Sequence, residues 1–223
     1  MAELIRALDP VRVAANLAEV LGEIEIAARG AGRDPSGVRV LAATKYVPDE
    51  ELPALAAGGV ELVGENRAQD LERKTAVHGE LFEWHFIGAL QSRKVKAIVP
   101  RVTMIHSVAS RSALAELHKH AGSARAGLRI LLEVNVAGEA GKAGIAPEEI
   151  DSYIEASPLP VAGLMTMPPL ARDPLQSRPW FAALRELARE RGLAELSMGT
   201  SQDYAVAVQE GATIVRIGTR LYH

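Results

Sequence analysis

Cysteine is absent from the 223 residues, which excludes a disulfide framework and any thiolate metal site and leaves nothing that points to secretion. No sign of charge dominates. Twenty-five Lys and Arg against 28 Asp and Glu leave a net charge of -3, so there is no broad attraction for nucleic acid or anionic lipid. The opening segment from Met1 to Pro10 lacks the basic stretch and apolar run of a signal peptide, and nowhere does the chain approach the roughly 20 apolar residues of a membrane span. A soluble, cytoplasmic protein is expected. The six histidines, His78, His85, His106, His118, His120 and His223, contain no His-Glu-x-x-His arrangement, and His118 and His120 fall on different faces of a helix, so no metal site is expected. The glycine-rich fragments contain neither a P-loop nor a dinucleotide fingerprint.

What the chain does have is a regular change of hydrophobic period. With 48% hydrophobic residues it carries enough apolar material for one substantial core. Strands are predicted at 38–44, 60–64, 83–87, 102–106, 128–134, 159–164, 194–198 and 213–217. Helices are predicted between them near 49–57, 67–77, 91–97, 111–121, 147–156, 176–191 and 202–210. Runs such as Ile130-Leu131-Leu132-Glu133-Val134 are too continuously apolar for a half-wet antiparallel sheet and suit a parallel one covered by helices. Eight strand–helix units predict an α/β fold of the (β/α)8 barrel type, with a doubly wound open sheet as the alternative. An extra helix precedes them: after Asp9-Pro10, an N-cap and first helical position, Val13, Leu17, Val20, Leu21 and Ile24 recur at helical spacing until Gly30 and Gly32. Residues 1–223 read as one domain. The proline-rich stretch 167–174 reads as a loop after the sixth strand, because the alternation continues beyond it.

In such a barrel, chemistry sits where strands end. Lys45 ends the first strand after six mostly apolar residues and before Tyr46-Val47-Pro48. An amine there is expected to be partly desolvated, and thus a nucleophile toward a carbonyl that forms an imine. Thr200 and Ser201 fit a helix-capping sequence before 204–208, and a helix start is also an anion site that Gly199 would let a phosphate approach. Gly218 and Thr219, after the last strand, would form the other half of the cradle. An imine-forming amine with a phosphate cradle suits a phosphorylated aldehyde, and pyridoxal 5'-phosphate is the leading ligand. Arg216 faces either the barrel mouth or a salt bridge beneath it. Against a pyridine nitrogen, a permanent cation would keep that nitrogen unprotonated and weaken the ring as an electron sink. His85 and His106, at strand ends, read as hydrogen-bonded structural histidines.

The segments Leu41-Ala42-Ala43-Thr44-Lys45, Gly64-Glu65-Asn66-Arg67-Ala68-Gln69-Asp70, Trp84-His85-Phe86-Ile87-Gly88-Ala89-Leu90-Gln91-Ser92-Arg93-Lys94, Gly163-Leu164-Met165-Thr166-Met167-Pro168, Leu196-Ser197-Met198-Gly199-Thr200-Ser201-Gln202-Asp203 and Val215-Arg216-Ile217-Gly218-Thr219 span almost the whole chain. Together they resemble the pyridoxal phosphate homeostasis protein family. The resemblance implies a TIM barrel of the alanine racemase N-terminal-domain type, the fold-type III class of pyridoxal phosphate proteins, usually monomeric. It implies a Schiff base on Lys45, phosphate contacts from Ser201, Gly218 and Thr219, Arg216 at the pyridine nitrogen, Asn66 near the ring, and Met165 and Met198 lining the pocket. The implied role is that of a carrier and regulator of the cofactor, in vitamin B6 homeostasis and amino-acid and keto-acid balance, without an established reaction. Apo forms of pyridoxal phosphate enzymes are the implied protein partners.

Three positions depart from the family pattern. Thr200 stands where Met is general, Ala89 where Pro is usual, and Ala109-Ser110 in place of Asp-Arg. The first still supplies a capping residue, the second is expected to loosen a loop, and the third leaves an interaction near the fourth strand open. Lys142, in the loop 135–144, reads as a mobile surface lysine rather than a second cofactor contact. Two other functions stay open. A pyridoxal phosphate racemase or lyase would form the same imine and also exchange substrate α-protons. Racemases of the related fold take a tyrosine acid/base from a second domain of a partner subunit, and this chain stops at Tyr222-His223, so two-base racemisation is expected to be weak or absent. A Schiff-base aldolase would instead form its imine with a sugar phosphate.

Overall fold

Eight apolar runs form parallel strands that close on themselves in chain order: β1 (Arg39–Ala43), β2 (Leu62–Glu65), β3 (Glu83–Phe86), β4 (Met104–Val108), β5 (Arg129–Glu133), β6 (Val161–Met165), β7 (Glu195–Thr200) and β8 (Ile214–Ile217). Ala42 lies opposite Val63 of β2 on one side and Ile217 of β8 on the other, so the sheet is a barrel without a free edge. This arrangement decides between the barrel and the open sheet. The structure is a computed structural model that describes residues 4–223.

The helices are α1 (Pro10–Gly30), α2 (Leu52–Ala57), α3 (Ala68–His78), α4 (Val95–Ile98), α5 (Arg111–His120), α6 (Ile150–Glu155), α7 (Arg178–Arg189) and α8 (Tyr204–Gln209). The additional helix α1 begins as its sequence predicts. Asp9 accepts from the Val11 N–H at 3.0 Å with Pro10 in the first turn, which satisfies one of the open N–H groups of a helix start. Its buried face, Val13, Val20 and Ile24, packs against α8 and α2. Among the described residues, no helix is long and apolar enough to cross a membrane.

The period of two along each strand sorts the apolar residues into two layers. Leu41, Leu62, Met104, Leu131, Met165 and Ile214 fill the barrel interior. Their neighbours Ala42, Val63, Ile105, Ile130, Leu164 and Val215 belong to the larger layer between strands and helices. The last residues close the seam between β8 and β1. The Tyr222 hydroxyl donates to Ala43 O at 2.9 Å, and the Asn16 amide of α1 donates to the carbonyls of Leu221 (3.2 Å) and His223 (3.1 Å).

Candidate cofactor site

At the C-terminal mouth of the barrel a cavity of about 400 Å³ is lined by Lys45, Asn66, Met165, Ser201, Arg216, Gly218 and Thr219, among others. Strand parity brings these residues together. With Leu41 pointing inward, Ala43 and Lys45 follow onto the cavity wall, while Thr44 turns to the helix side. On β8, Ile214 points inward, and Arg216 and Gly218 follow. Met198 does not join them. Ser197 occupies the inward parity on β7, so Met198, fully buried, faces the helix layer and packs in the outer core.

Lys45 follows a strand end that a buried ion pair fixes. Lys74 of α3 donates to Glu65 Oε2 at 2.6 Å and to Thr44 O at 2.8 Å, with both charged side chains almost inaccessible. Glu65 also accepts from the Thr44 hydroxyl and the Asn66 N–H, so the carboxylate's remaining acceptor sites are filled. The expectation of a desolvated Lys45 is not met. The residue is exposed, and its ammonium lies over the Tyr46 ring, 4.8 Å from the centroid.

Asn66 is held from two sides. Its N–H donates to Glu65 Oε1 at 2.7 Å, and its carbonyl packs so closely on Gly88 that a Cβ there would stand 1.9 Å from it. Its side-chain Oδ1 is buried and has no hydrogen-bond partner. A buried acceptor left open is costly unless a ligand supplies the donor.

Arg216 is buried and faces the mouth, not a salt bridge beneath. It donates to Ser197 Oγ at 2.6 Å, to Thr166 O at 3.0 Å and to Met167 Sδ at 2.9 Å. Burial pulls its pKa down to about 10, which still leaves a cation at neutral pH. Glu133, on β5, also lines the cavity; inside its apolar run it carries no sequence signal of a site residue. It is buried, and burial raises its pKa against the pull of Arg216.

Ser201 and Gly218 meet where the Gly218 N–H donates to Ser201 Oγ at 3.3 Å. A Cβ on Gly218 would find its nearest neighbour, Ala43 Cβ, at 4.0 Å, so the backbone is open to an approaching group. Two expectations here are corrected. The helix starts at Tyr204, and Asp203 uses its carboxylate to accept from the N–H and hydroxyl of Thr200, which places a turn between strand and helix. Gly199 has φ +89°, and a Cβ there would meet Ala207 and Tyr204 at 2.6 and 2.9 Å. It serves the packing of α8, not a phosphate.

Residues 43–223 match the family described as alanine racemase, N-terminal domain. The chain is 42% identical to a pyridoxal phosphate homeostasis protein of Aquifex aeolicus, covering 92% of this chain and 95% of that one. It is 39% identical to a pyridoxal phosphate homeostasis protein of Pseudomonas aeruginosa, with 94% of each covered. The chain belongs to this family. Among solved structures it is similar to PipY of Synechococcus elongatus with pyridoxal phosphate bound, at 30% identity and a TM-score of 0.77 over 95% of this chain and all of PipY.

The departures from the family pattern have local accounts. Ser110 caps α5 by accepting from the Ala113 N–H at 3.2 Å, so the change after β4 provides a helix cap. Ala89 lies on the cavity wall. Lys142 is half-exposed, pairs with Glu139, and is not part of the lining of the mouth cavity.

Proposed function

We propose that this chain, as a single domain over 1–223, holds pyridoxal 5'-phosphate in the mouth cavity and serves cofactor homeostasis. The orphaned Asn66 Oδ1 carries this reading, because it is a buried acceptor without a partner on a residue that lines a space of ligand size. Lys45 supplies the amine for the Schiff base, and its exposure at the rim keeps it accessible to an arriving aldehyde. Ser201, Gly218 and Thr219 supply hydroxyl and backbone donors for the phosphate. Arg216 sets a cation at the pyridine nitrogen, Asn66 accepts near the ring, and Met165 gives the ring an apolar wall. When bound, the cofactor supplies an electron sink for carbon acids, which a cation at its nitrogen weakens. Turnover is disfavoured further because the Tyr222 hydroxyl is bonded to Ala43 O and burial raises its pKa, which removes it as a proton carrier at neutral pH. The chain acts as a cytoplasmic monomer that can supply apo-enzymes.

The test is an absorbance spectrum of the protein mixed with pyridoxal 5'-phosphate, then borohydride reduction and peptide mass analysis. A new visible band and a reduced adduct on the Lys45 peptide are expected, with no exchange of amino-acid α-protons. An adduct elsewhere, or trapping by a sugar phosphate instead, overturns the reading.

A further inference from the structure

Beneath the cavity, side chains that the cofactor reading does not use continue from Arg216 in a line through the barrel. Arg216 Nη1 reaches Ser197 Oγ at 2.6 Å, Ser197 Oγ lies 2.8 Å from His106 Nδ1, His106 Nε2 lies 2.9 Å from His85 Nδ1, and His85 Nε2 lies 2.9 Å from Glu83 Oε1. Ser197, His106 and His85 are wholly buried. Glu83 stands at the opposite, N-terminal end, where it also accepts from Arg39 and from the Thr103 hydroxyl.

The two ends dictate every hydrogen in between. A guanidinium has no acceptor, so Arg216 donates to Ser197. A carboxylate has no donor, so His85 donates from Nε2 to Glu83. A neutral His85 then accepts at Nδ1 from His106 Nε2–H, and His106 accepts at Nδ1 from the Ser197 hydroxyl. All bonds run one way, from Arg216 to Glu83, and each polarises the next. The reverse order needs an additional proton on His85, after which both Arg216 and His106 would donate to Ser197 and the serine proton would lose its acceptor. Burial opposes that proton, as do the nearby cations Arg39 and Arg129, while Glu83 favours it.

We propose that Ser197, His106, His85 and Glu83 are positioning residues that hold the Arg216 guanidinium at the cofactor cavity from the far end of the barrel. The consequence for cofactor affinity rests on the function proposed above; the order of the chain does not. Histidine nitrogen NMR on the 15N-labelled protein without cofactor tests the order directly. Both His85 and His106 are expected as Nε2–H tautomers that do not titrate between about pH 6 and 8. Glu83→Gln, whose amide can both donate and accept, is expected to mix the tautomers of both rings. Ser197→Ala is expected to weaken pyridoxal 5'-phosphate binding about 3–10-fold, the effect of one lost hydrogen bond. An Nδ1–H tautomer on either ring, or ordinary titration near neutrality in the parent protein, overturns the proposal, as does a Glu83→Gln protein with unchanged tautomers. Expected tautomers in a protein that fails to bind pyridoxal 5'-phosphate would sink the cofactor reading and leave the chain standing.

Discussion

The two ends of the barrel carry similar residues and use them differently. At the floor, Arg39 pairs with Glu83, Arg129 pairs with Glu195, and the Thr213 hydroxyl donates to Glu195 at 2.7 Å. At the mouth, Lys45 and Arg216 form no ion pair among the described residues, and Asn66 Oδ1 has no partner. Size points the other way, since a cavity of about 610 Å³ opens beside the floor, lined by Arg39, Glu83 and the α1 residues Leu17 and Leu21. At the floor the charged side chains are paired within the protein, whereas at the mouth Lys45 forms no ion pair among the described residues and Asn66 Oδ1 has no partner, which suits a ligand. Satisfaction, not volume, separates the ends.

The sharpest way to break this contrast is Lys45→Ala. The borohydride-stable adduct should vanish entirely while the unfolding free energy in urea changes by no more than about 0.5 kcal/mol, as for an exposed site. Persistence of the adduct would put the reactive amine elsewhere. Lys74→Met should be the largest stability loss, about 3–5 kcal/mol by urea denaturation, because it strands the Glu65 carboxylate in the interior. A loss under about 1 kcal/mol would mean that the strand end carrying Lys45 is held by something else.

The histidines of the interior give a pH test. Burial lowers both His85 and His106 from the ordinary value of 6.5, so below that pH the unfolded chain binds more protons than the folded one. Stability is therefore retained above about pH 6.5 and lost as pH falls below it. Glu83 adds a second loss. The His85 N–H holds its pKa at about 2 instead of 4.5, so its contribution disappears as pH falls from 4.5 toward 2. Thermal midpoints from pH 8 down to 3 should decline in these two stages, and a flat profile between 6.5 and 5 contradicts buried neutral imidazoles. The smallest effect belongs to Arg39→Ala, which removes a half-exposed floor pair and should cost no more than about 1 kcal/mol.

Much of this arrangement is legible in the chain itself. All eight strands fall within two residues of their predicted ends, because near-continuous apolar runs between turn residues leave few other options. Lys45, Asn66, Arg216 and Gly218 could be placed at the mouth because strand ends face it. Met198 failed on parity: a bulky apolar residue one position from the inward Ser197 belongs to the other face. Glu133 was hidden by its apolar neighbours. The Lys74–Glu65 pair and the Arg216–Glu83 line had no local signature, since His106 and Ser197 are 91 residues apart and meet through the closed topology. α8 starts at Tyr204, two residues later than its sequence predicts, because the Asp203 carboxylate ties back to Thr200.

The seam between β8 and β1 has a consequence for biosynthesis. Lys45 leaves the ribosome early, yet the strand end that leads to it is pinned by Tyr222, and Asn16 waits 205 and 207 residues for the carbonyls it binds. Contacts of such separation form late, after nearly the whole loop-closure entropy has been met. Until those contacts form, Lys45 of a nascent chain lacks the cavity wall that Arg216, Gly218 and Tyr222 provide. The mouth of the barrel can close only after β8 and the residues through Tyr222 have joined β1.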